Sequence, residues 1–399
     1  MPSTSFHIVN LGCKVNRVEA DSMAAALISQ GWAPVDEESA DLIVVNTCTV
    51  TGEADKKARK AVHHAVAVNP LADVVVTGRA AAISADVFLA MDPRVRVVGK
   101  AELMDSFGAG GGSPTVRHGE GFRTRVGFKV QDGCDRACTY CIVHVARGKA
   151  RSEKAETVVA EARAHFEAGV KEVVLAGIDI GAYRDGDIGL ARLCELILAQ
   201  ADGACNPKEL PARLRISSIE PLNVDAALID LLAQSGGRVC RHLHIPLQSG
   251  STKVLREMAR PYTAEEFMAL VHLLCDRVPA ISLSTDVIVG FPGETDDEFE
   301  ETCNLVREAG FSRLHVFPYS RREGTPAAAR ADQVSPEVKR ERAARLRAIG
   351  AELNAEDLAR RKDTDELCIV EGETALTESY HEIPAPPGTQ PGDFVQITL

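Results

Sequence analysis

Along the first hundred residues, short apolar runs alternate with stretches whose apolar positions recur every three or four residues. Residues 6–11, 42–45, 74–76 and 95–98 read as strands, because short unbroken apolar runs suit a strand covered on both faces. Residues 15–30 and 54–68 carry the helical period between them. Strand and helix in alternation predict a parallel sheet with helices on both faces. A glycine-rich stretch follows at 108–114. It lacks the Lys-Ser/Thr ending and the preceding strand of a phosphate loop, so it reads as a linker.

A second alternating series begins near Arg123. Strands are expected at 126–130, 172–176, 214–217, 242–247, 283–289 and 313–317, and helices at 154–168, 190–199, 224–234, 264–275 and 298–308. Six strands with helices at this pitch predict most of a β/α barrel. Ser335-Pro336-Glu337 then opens a long basic helix, with Ser as N-cap and Pro at the first helical position. The last residues read as short strands at 366–370, 375–380 and 394–398, punctuated by Gly and Pro. The fold class expected is therefore α/β. A parallel-sheet domain (1–107) leads through a linker (108–122) to a partial (β/α)6 barrel with a trailing helix (123–350), and a small all-β domain (363–399) ends the chain.

The composition is that of an ordinary soluble protein: 399 residues, 45% hydrophobic, 26% charged, formal net charge −12. No apolar run approaches the ~20 residues a spanning helix needs, so no membrane partner is expected. Residues 1–10 lack the basic and apolar regions of a secretory signal. With 11 cysteines, the chain reads as cytoplasmic, its thiols reduced rather than paired as disulfides. The acidic balance speaks against nucleic-acid binding by bulk charge and leaves room for local basic patches. Such patches occur at Lys56, Lys57, Arg59 and Lys60, at Arg147, Lys149 and Arg151, at Lys339, Arg340, Arg342, Arg345 and Arg347, and at Arg360, Arg361 and Lys362. Each reads either as a set of phosphate contacts or as a solvated helix face with i,i+4 ion pairs.

The strongest chemical signal is Cys134, Cys138 and Cys141, a C-x3-C-x2-C spacing directly after a predicted strand. Three thiolates on one short loop suit an iron–sulfur cubane with one iron left open. A zinc knuckle completed by His144 is the competing reading. His242 and His244, two apart on a strand, face the same way; without a third ligand at matching spacing they read as structural or substrate-lining.

The cysteine spacing, with Tyr140 before the last Cys, resembles the radical S-adenosylmethionine (SAM) enzymes. The strand and turn Val287-Ile288-Val289-Gly290-Phe291-Pro292-Gly293-Glu294 resemble that family's contact with the adenosyl part of SAM. Phe128-Lys129-Val130-Gln131-Asp132-Gly133-Cys134, Ala146-Arg147-Gly148 and His315-Val316-Phe317-Pro318-Tyr319-Ser320 are similar to the methylthiotransferases, over nearly the whole chain. Gly177-Ile178-Asp179-Ile180-Gly181-Ala182-Tyr183 and Arg215-Ile216-Ser217-Ser218-Ile219-Glu220-Pro221 look like the branch acting on N6-threonylcarbamoyladenosine in tRNA. The resemblance implies methylthiolation at C2 of the adenosine beside the anticodon. It implies a 4Fe-4S cluster on Cys134, Cys138 and Cys141, which also act as the catalytic residues, and SAM as cofactor. Tyr140, Gly177, Asp179, Ser218, Glu220, Gln248, Gly290, Glu294 and Phe317 are the implied cofactor-binding residues. The implied partners are the tRNA anticodon region, a reductant such as flavodoxin or ferredoxin, and a sulfur donor. The segments 376–380 and 391–395 resemble the TRAM domain, a small tRNA-binding β-barrel.

The family holds a second 4Fe-4S cluster on three cysteines of its N-terminal domain. Cys13 and Cys48 match two of these positions, and Arg79 stands at the third. A guanidinium has no lone pair to offer a metal. Three readings follow: an unusual third ligand, a cysteine recruited from elsewhere, or no second cluster, with Cys13 and Cys48 carrying sulfur as a disulfide or persulfide or left as remnants. A divergent radical-SAM enzyme without methylthio transfer and a non-catalytic tRNA-binding protein are the alternatives to the main reading.

Overall fold

The computed structural model describes residues 4–12, 14–48, 52–107, 124–204 and 210–399. They fall into two units, one of residues 1–122 and 142–149, the other of 123–141 and 150–399. Cys13, Cys205 and the expected linker at 108–122 lie outside the described residues.

In the N-terminal unit, five parallel strands pair in the spatial order Ala33–Pro34, Ser5–Asn10, Leu42–Thr47, Asp73–Gly78, Val95–Val97. Every residue of Leu42–Thr47 is buried, which explains its unbroken apolar run. Its side chains divide between two layers. Ile43 and Val45, with Val74 and Val76, meet Ala58, Val62 and Ala65 of the helix Gly52–Val68. Leu42 and Val44, with Val75, meet Met23, Ala26 and Leu27 of the helix Lys14–Ser29. Three short helices, Arg79–Ile83, Ala85–Leu89 and Lys100–Ser106, escape the sequence pattern because one or two turns show no period. Residues 142–149 group with this unit rather than with the barrel that was expected to hold all of 123–350. Within this unit Arg147 donates from Nη1 to Glu19 Oε1 at 2.9 Å and from Nη2 to Glu19 Oε2 at 3.1 Å.

The second unit contains the six expected parallel strands. Arg125–Lys129, Glu172–Ala176 and Arg213–Ile216 form one sheet; His242–His244, Ser282–Val289 and Arg313–Pro318 form the other. Parallel bridges between Leu214 and Val239 and between Ser218 and His244 join the sheets into the wall of an open barrel. The fourth strand is shorter than the expected 242–247, because Pro246 has no N–H to give the ladder. The trailing helix, Pro336–Arg360, runs past its expected end at 350. Gly350 lies in its middle because a Cβ there would come within 3.1 Å of Leu314 Cβ, so the glycine serves close packing and not a stop. The C-terminal sheet is antiparallel, in the order Glu382–Pro384, Thr374–Thr377, Asp365–Val370, Phe394–Thr398. The expected strand 375–380 stops at Thr377, and Tyr380 takes a left-handed turn (φ 74°) before a strand the sequence did not announce. Among the described residues, no helix is long and apolar enough to cross a membrane.

A buried carboxylate ties the barrel to this small sheet. Glu172 is fully buried and pairs in register with Arg125 on one side and Arg213 on the other. Arg213 Nε donates to Glu172 Oε2 at 2.6 Å, and Arg215 Nε to Oε1 at 2.8 Å. The same arginines reach outward: Arg213 Nη2 donates to Leu376 O at 3.2 Å, and Arg215 donates to Glu378 O at 3.0 Å and Thr377 O at 2.9 Å. Burial works against the Glu172 charge, but Arg213, Arg215 and then Arg125 reverse it and hold the carboxyl at about 2. Its contribution is therefore complete above the ordinary carboxylate range and is lost as pH falls from about 4.5 through about 2. Glu172→Gln, which strands these guanidinium groups in the interior, is expected to cost about 3–5 kcal/mol in urea unfolding at pH 7. The difference from wild type should shrink below pH 4; a loss under 1 kcal/mol would contradict the account.

Candidate functional site

The cysteine loop begins where the first barrel strand ends, and a glutamine anchors it. Gln131 is buried; its Nε2 donates to Asp132 O at 3.0 Å and Gly133 O at 2.9 Å. Its Oε1 accepts from the N–H groups of Ile178 (3.0 Å) and Asp179 (2.8 Å), at the end of the neighbouring strand. One side chain therefore fixes the loop that carries Cys134 against the turn that carries Gly177 and Asp179. Gly177 permits this approach, since a Cβ there would stand 3.1 Å from both Cβ and Oε1 of Gln131. Asp179 continues the network. It accepts from Arg136 Nε at 3.1 Å and Asn223 Nδ2 at 2.8 Å.

Two of the thiols accept from arginine residues, one from a guanidinium and one from a backbone N–H. Cys138 is buried, and Arg260 Nη1 points at its sulfur from 3.4 Å. Arg260 is itself held by Tyr262 (Nε to Oη, 3.0 Å) and by the carboxylate of Glu220. Cys134 accepts from the Arg136 N–H at 3.4 Å. Burial pushes the Cys134 thiol up, the Arg136 N–H pulls it down, and the charges of Asp179 and Cys138 push it up again. Thr139 anchors the loop between its cysteines: its N–H donates to Met258 O (3.1 Å), its hydroxyl to Glu257 O (2.8 Å), and its carbonyl accepts from Ala327 (3.0 Å). Tyr140 packs on an apolar cluster of Val254, Met258, Phe291, Tyr319 and Ala327, and burial raises its phenol well above the ordinary value.

Donors aimed at thiolate sulfurs on a rigid loop suit a cluster that carries negative charge. Among the described residues, no three His, Cys, Asp or Glu side chains form a site for a single ion. Cluster ligands bind separate irons and need not converge on one point. His144, the fourth ligand of the zinc reading, lies in the 142–149 segment that groups with the other unit.

The remaining expected residues divide by environment. Ser218 is exposed and Phe317 half-buried, both at carboxyl ends of barrel strands. Gln248 is buried with φ 69°, a costly conformation for a residue with a Cβ, fixed by pairing with Asp286 O and Ile288 N. Glu220 and Glu294 are engaged by protein groups. Glu294 Oε2 accepts from Gly290 N at 2.6 Å and from Arg342 Nη1 at 2.5 Å, and burial raises its carboxyl. Over Gly290 (φ 69°) lies Lys339, whose Cγ would be 2.4 Å from an added Cβ. Of these residues, Glu220 is linked to the Cys138 thiol through Arg260, which the sequence did not single out.

His242 Nε2 and His244 Nδ1 both bond Ser284 Oγ, at 2.9 and 3.0 Å, and His244 Nε2 lies 3.1 Å from Asp286. They are therefore a hydrogen-bonded row on the strands. Of the basic groups, Lys56, Lys57, Arg59 and Lys60 are exposed. Those of the long helix are largely engaged within the unit: Arg342 with Glu294 and Asp296, Arg345 with Glu300, Arg361 with Asp357 and Glu366.

In the N-terminal unit, Cys48 and Arg79 follow adjacent parallel strands, whose ends align Thr47 with Gly78. Both are buried, and Arg79 Nη2 donates to Cys48 Sγ at 2.8 Å and to Asn16 Oδ1 at 3.4 Å. Cys194, Cys240, Cys303 and Cys368 are buried in the other unit and Cys275 is exposed there, as expected of core and helix positions.

Residues 128–306 match the family described as the radical SAM superfamily, and residues 5–99 match uncharacterized protein family UPF0004. The chain is 38% identical to the threonylcarbamoyladenosine tRNA methylthiotransferase MtaB of Bacillus subtilis (strain 168), over 96% of its length and 87% of the relative's. It is 34% identical to the MtaB of Chlamydia pneumoniae, over 94% and 89%. It is 33% identical to the tRNA-2-methylthio-N(6)-dimethylallyladenosine synthase of Anoxybacillus flavithermus, over 92% and 74%. In fold it is similar to the radical S-adenosylmethionine methyltransferase TsrM of Kitasatospora setae, with a TM-score of 0.59 at 17% identity, over 82% of this chain and 77% of that one.

The contact between Arg260 and Cys138 is open to a direct measurement. Arg260→Gln is expected to leave the iron content of the reconstituted chain at the wild-type value and to lower the cluster's midpoint potential by roughly tens of millivolts, because a cation beside a thiolate ligand favours the more negative, reduced cluster. An unchanged potential would place Arg260 away from the cluster.

Proposed function

The chain belongs to the radical-SAM methylthiotransferases, and on that premise we propose that it adds a methylthio group to C2 of N6-threonylcarbamoyladenosine next to the tRNA anticodon. The carrying observation is the Gln131 bridge. It joins the cysteine loop to the Gly177–Asp179 turn, one of the stretches that look like the threonylcarbamoyladenosine branch. Identity to two proteins named for that substrate, over more than nine-tenths of the chain, supports the same assignment.

The division of labour follows from the residues. Cys134, Cys138 and Cys141 would hold a 4Fe-4S cluster that, with SAM bound, supplies a primary carbon radical strong enough for an aromatic C–H bond. Arg260 and Arg136 set the charge around the sulfurs, and Glu220 and Asp179 orient those guanidinium groups. Tyr140 with Phe291 and Tyr319 closes an apolar wall behind the loop and keeps water from it. Glu294 fixes the Gly290 turn so that its backbone stays at the strand end. The exposed Lys56, Lys57, Arg59 and Lys60 offer phosphate contacts for the tRNA. A flavodoxin or ferredoxin would deliver the electron, a sulfur donor the sulfur, and the cytoplasm is the compartment proposed.

A second reading is favoured by one residue. Arg79, at the third ligand position of the N-terminal domain, suits a radical-SAM enzyme that cleaves SAM without methylthio transfer. Two measurements separate the readings. Cys138→Ala should reduce 5′-deoxyadenosine formation to background while the thermal melt stays cooperative; persistent cleavage would refute the cluster assignment. Mass spectrometry of tRNA nucleosides from a deletion strain should show loss of the methylthio derivative of threonylcarbamoyladenosine, restored by the wild-type gene. An unchanged level with SAM cleavage intact would favour the second reading.

A further inference from the structure

The described residues after strands Leu42–Thr47 and Asp73–Gly78, Cys48 and Arg79, do not fit a second cluster. Arg79 is 3% exposed and Cys48 4%. The guanidinium lies 2.8 Å from the sulfur, on the side from which a neighbouring strand end would supply a ligand. It offers donors only, so it can bond a sulfur and cannot bind iron. Its place is fixed. Asn16 Oδ1 accepts from Arg79, while Asn16 Nδ2 donates to Thr47 O at 2.9 Å. Asn46 Nδ2 donates to Asn16 O at 2.8 Å. The backbone closes in from the other side: a Cβ on Gly12 would come within 2.9 Å of Cys48 Cβ. Among the described residues, the pocket is therefore built around the Cys48 sulfur and one permanent cation.

We propose that Cys48 is a sulfur-carrying residue that accepts a sulfane sulfur as a persulfide, with Arg79 pairing the terminal sulfur anion, and that this chain carries a single iron–sulfur cluster. The proposal rests on the methylthio-transfer reading, since that reaction needs a sulfur atom that SAM does not supply. The ligand class is a persulfide, R–S–S⁻. The Cys48 sulfur attacks its outer sulfur, the donor S–S bond breaks, and the Cys48 S–S bond forms. The donor leaves as R–SH with the thiol proton of Cys48. Sulfane sulfur passes from one thiol to another with no outside oxidant or reductant. A guanidinium that is always charged suits the anionic product, as cations suit sulfur anions at reactive cysteines.

The test uses the full chain, reconstituted anaerobically. After incubation with glutathione persulfide and alkylation, peptide mass spectrometry should find one extra sulfur atom on the Cys48 peptide. Arg79→Gln should lower that occupancy about tenfold, and Arg79→Lys, which keeps a cation, should retain part of it. Wild type should hold roughly four irons, and Cys48→Ser the same. A wild type with roughly eight irons, a Cys48→Ser protein with half the wild-type iron, or Cys48 without added sulfur would overturn the proposal. If wild type forms no 5′-deoxyadenosine, the reading beneath it fails; if it does and Cys48 takes no sulfur, this proposal fails alone.

Discussion

Parallel pairing is the constraint on which the other features depend. Five strands in the N-terminal unit and six in the barrel all run in register with their neighbours, so each sheet gathers its carboxyl ends along one edge. Loops leaving that edge meet one another, whatever their separation in sequence. The cysteine loop after the first barrel strand, Asp179 after the second and Glu220 after the third are brought together for this reason. Cys48 and Arg79 obey the same rule in the smaller sheet. The chemistry sits where the ladder of hydrogen bonds runs out and backbone groups are left to be satisfied by side chains such as Gln131.

Buried guanidinium groups are the second theme. Arg260, Arg342, Arg213, Arg215 and Arg79 are all shielded from water, and each donates to a defined acceptor. A planar donor set of this kind fixes direction as well as charge. Around the barrel thiols it sets the field at the sulfurs. At Glu172 it sets cohesion. Glu220 and Glu294, which the resemblance implies as cofactor-binding residues, each bond one of these guanidinium groups, Arg260 and Arg342.

Much of this architecture is legible in the chain, and the part that is not has a physical reason. Buried strands such as 172–176 declare themselves because parallel strands are covered on both faces, and the cysteine spacing declares itself because a cluster fixes ligand type and loop length together. The length of the last helix is less legible, since the reason for Gly350 within it is Leu314, which is distant in the chain. Gln131 and Arg260 leave no local signal. Their roles depend on partners that are distant in the chain, Asp179 and Cys138, which only the sheet order brings close. Arg79 is visible as a departure from the family, but its contact with Cys48 needs the register of two adjacent strands.

The arginines beneath the barrel bear on how freely its parts can be exchanged. Arg213 and Arg215 spend part of their donor capacity on the carbonyls of Leu376, Thr377 and Glu378, so the small sheet completes the solvation of charges that belong to the barrel. Tyr380 adds to this by stacking on His242 at 4.6 Å. An appendage of this kind is no detachable module. A chimaera that grafts a foreign β domain after the long helix would have to reproduce these backbone acceptors or leave two buried guanidinium groups short of partners.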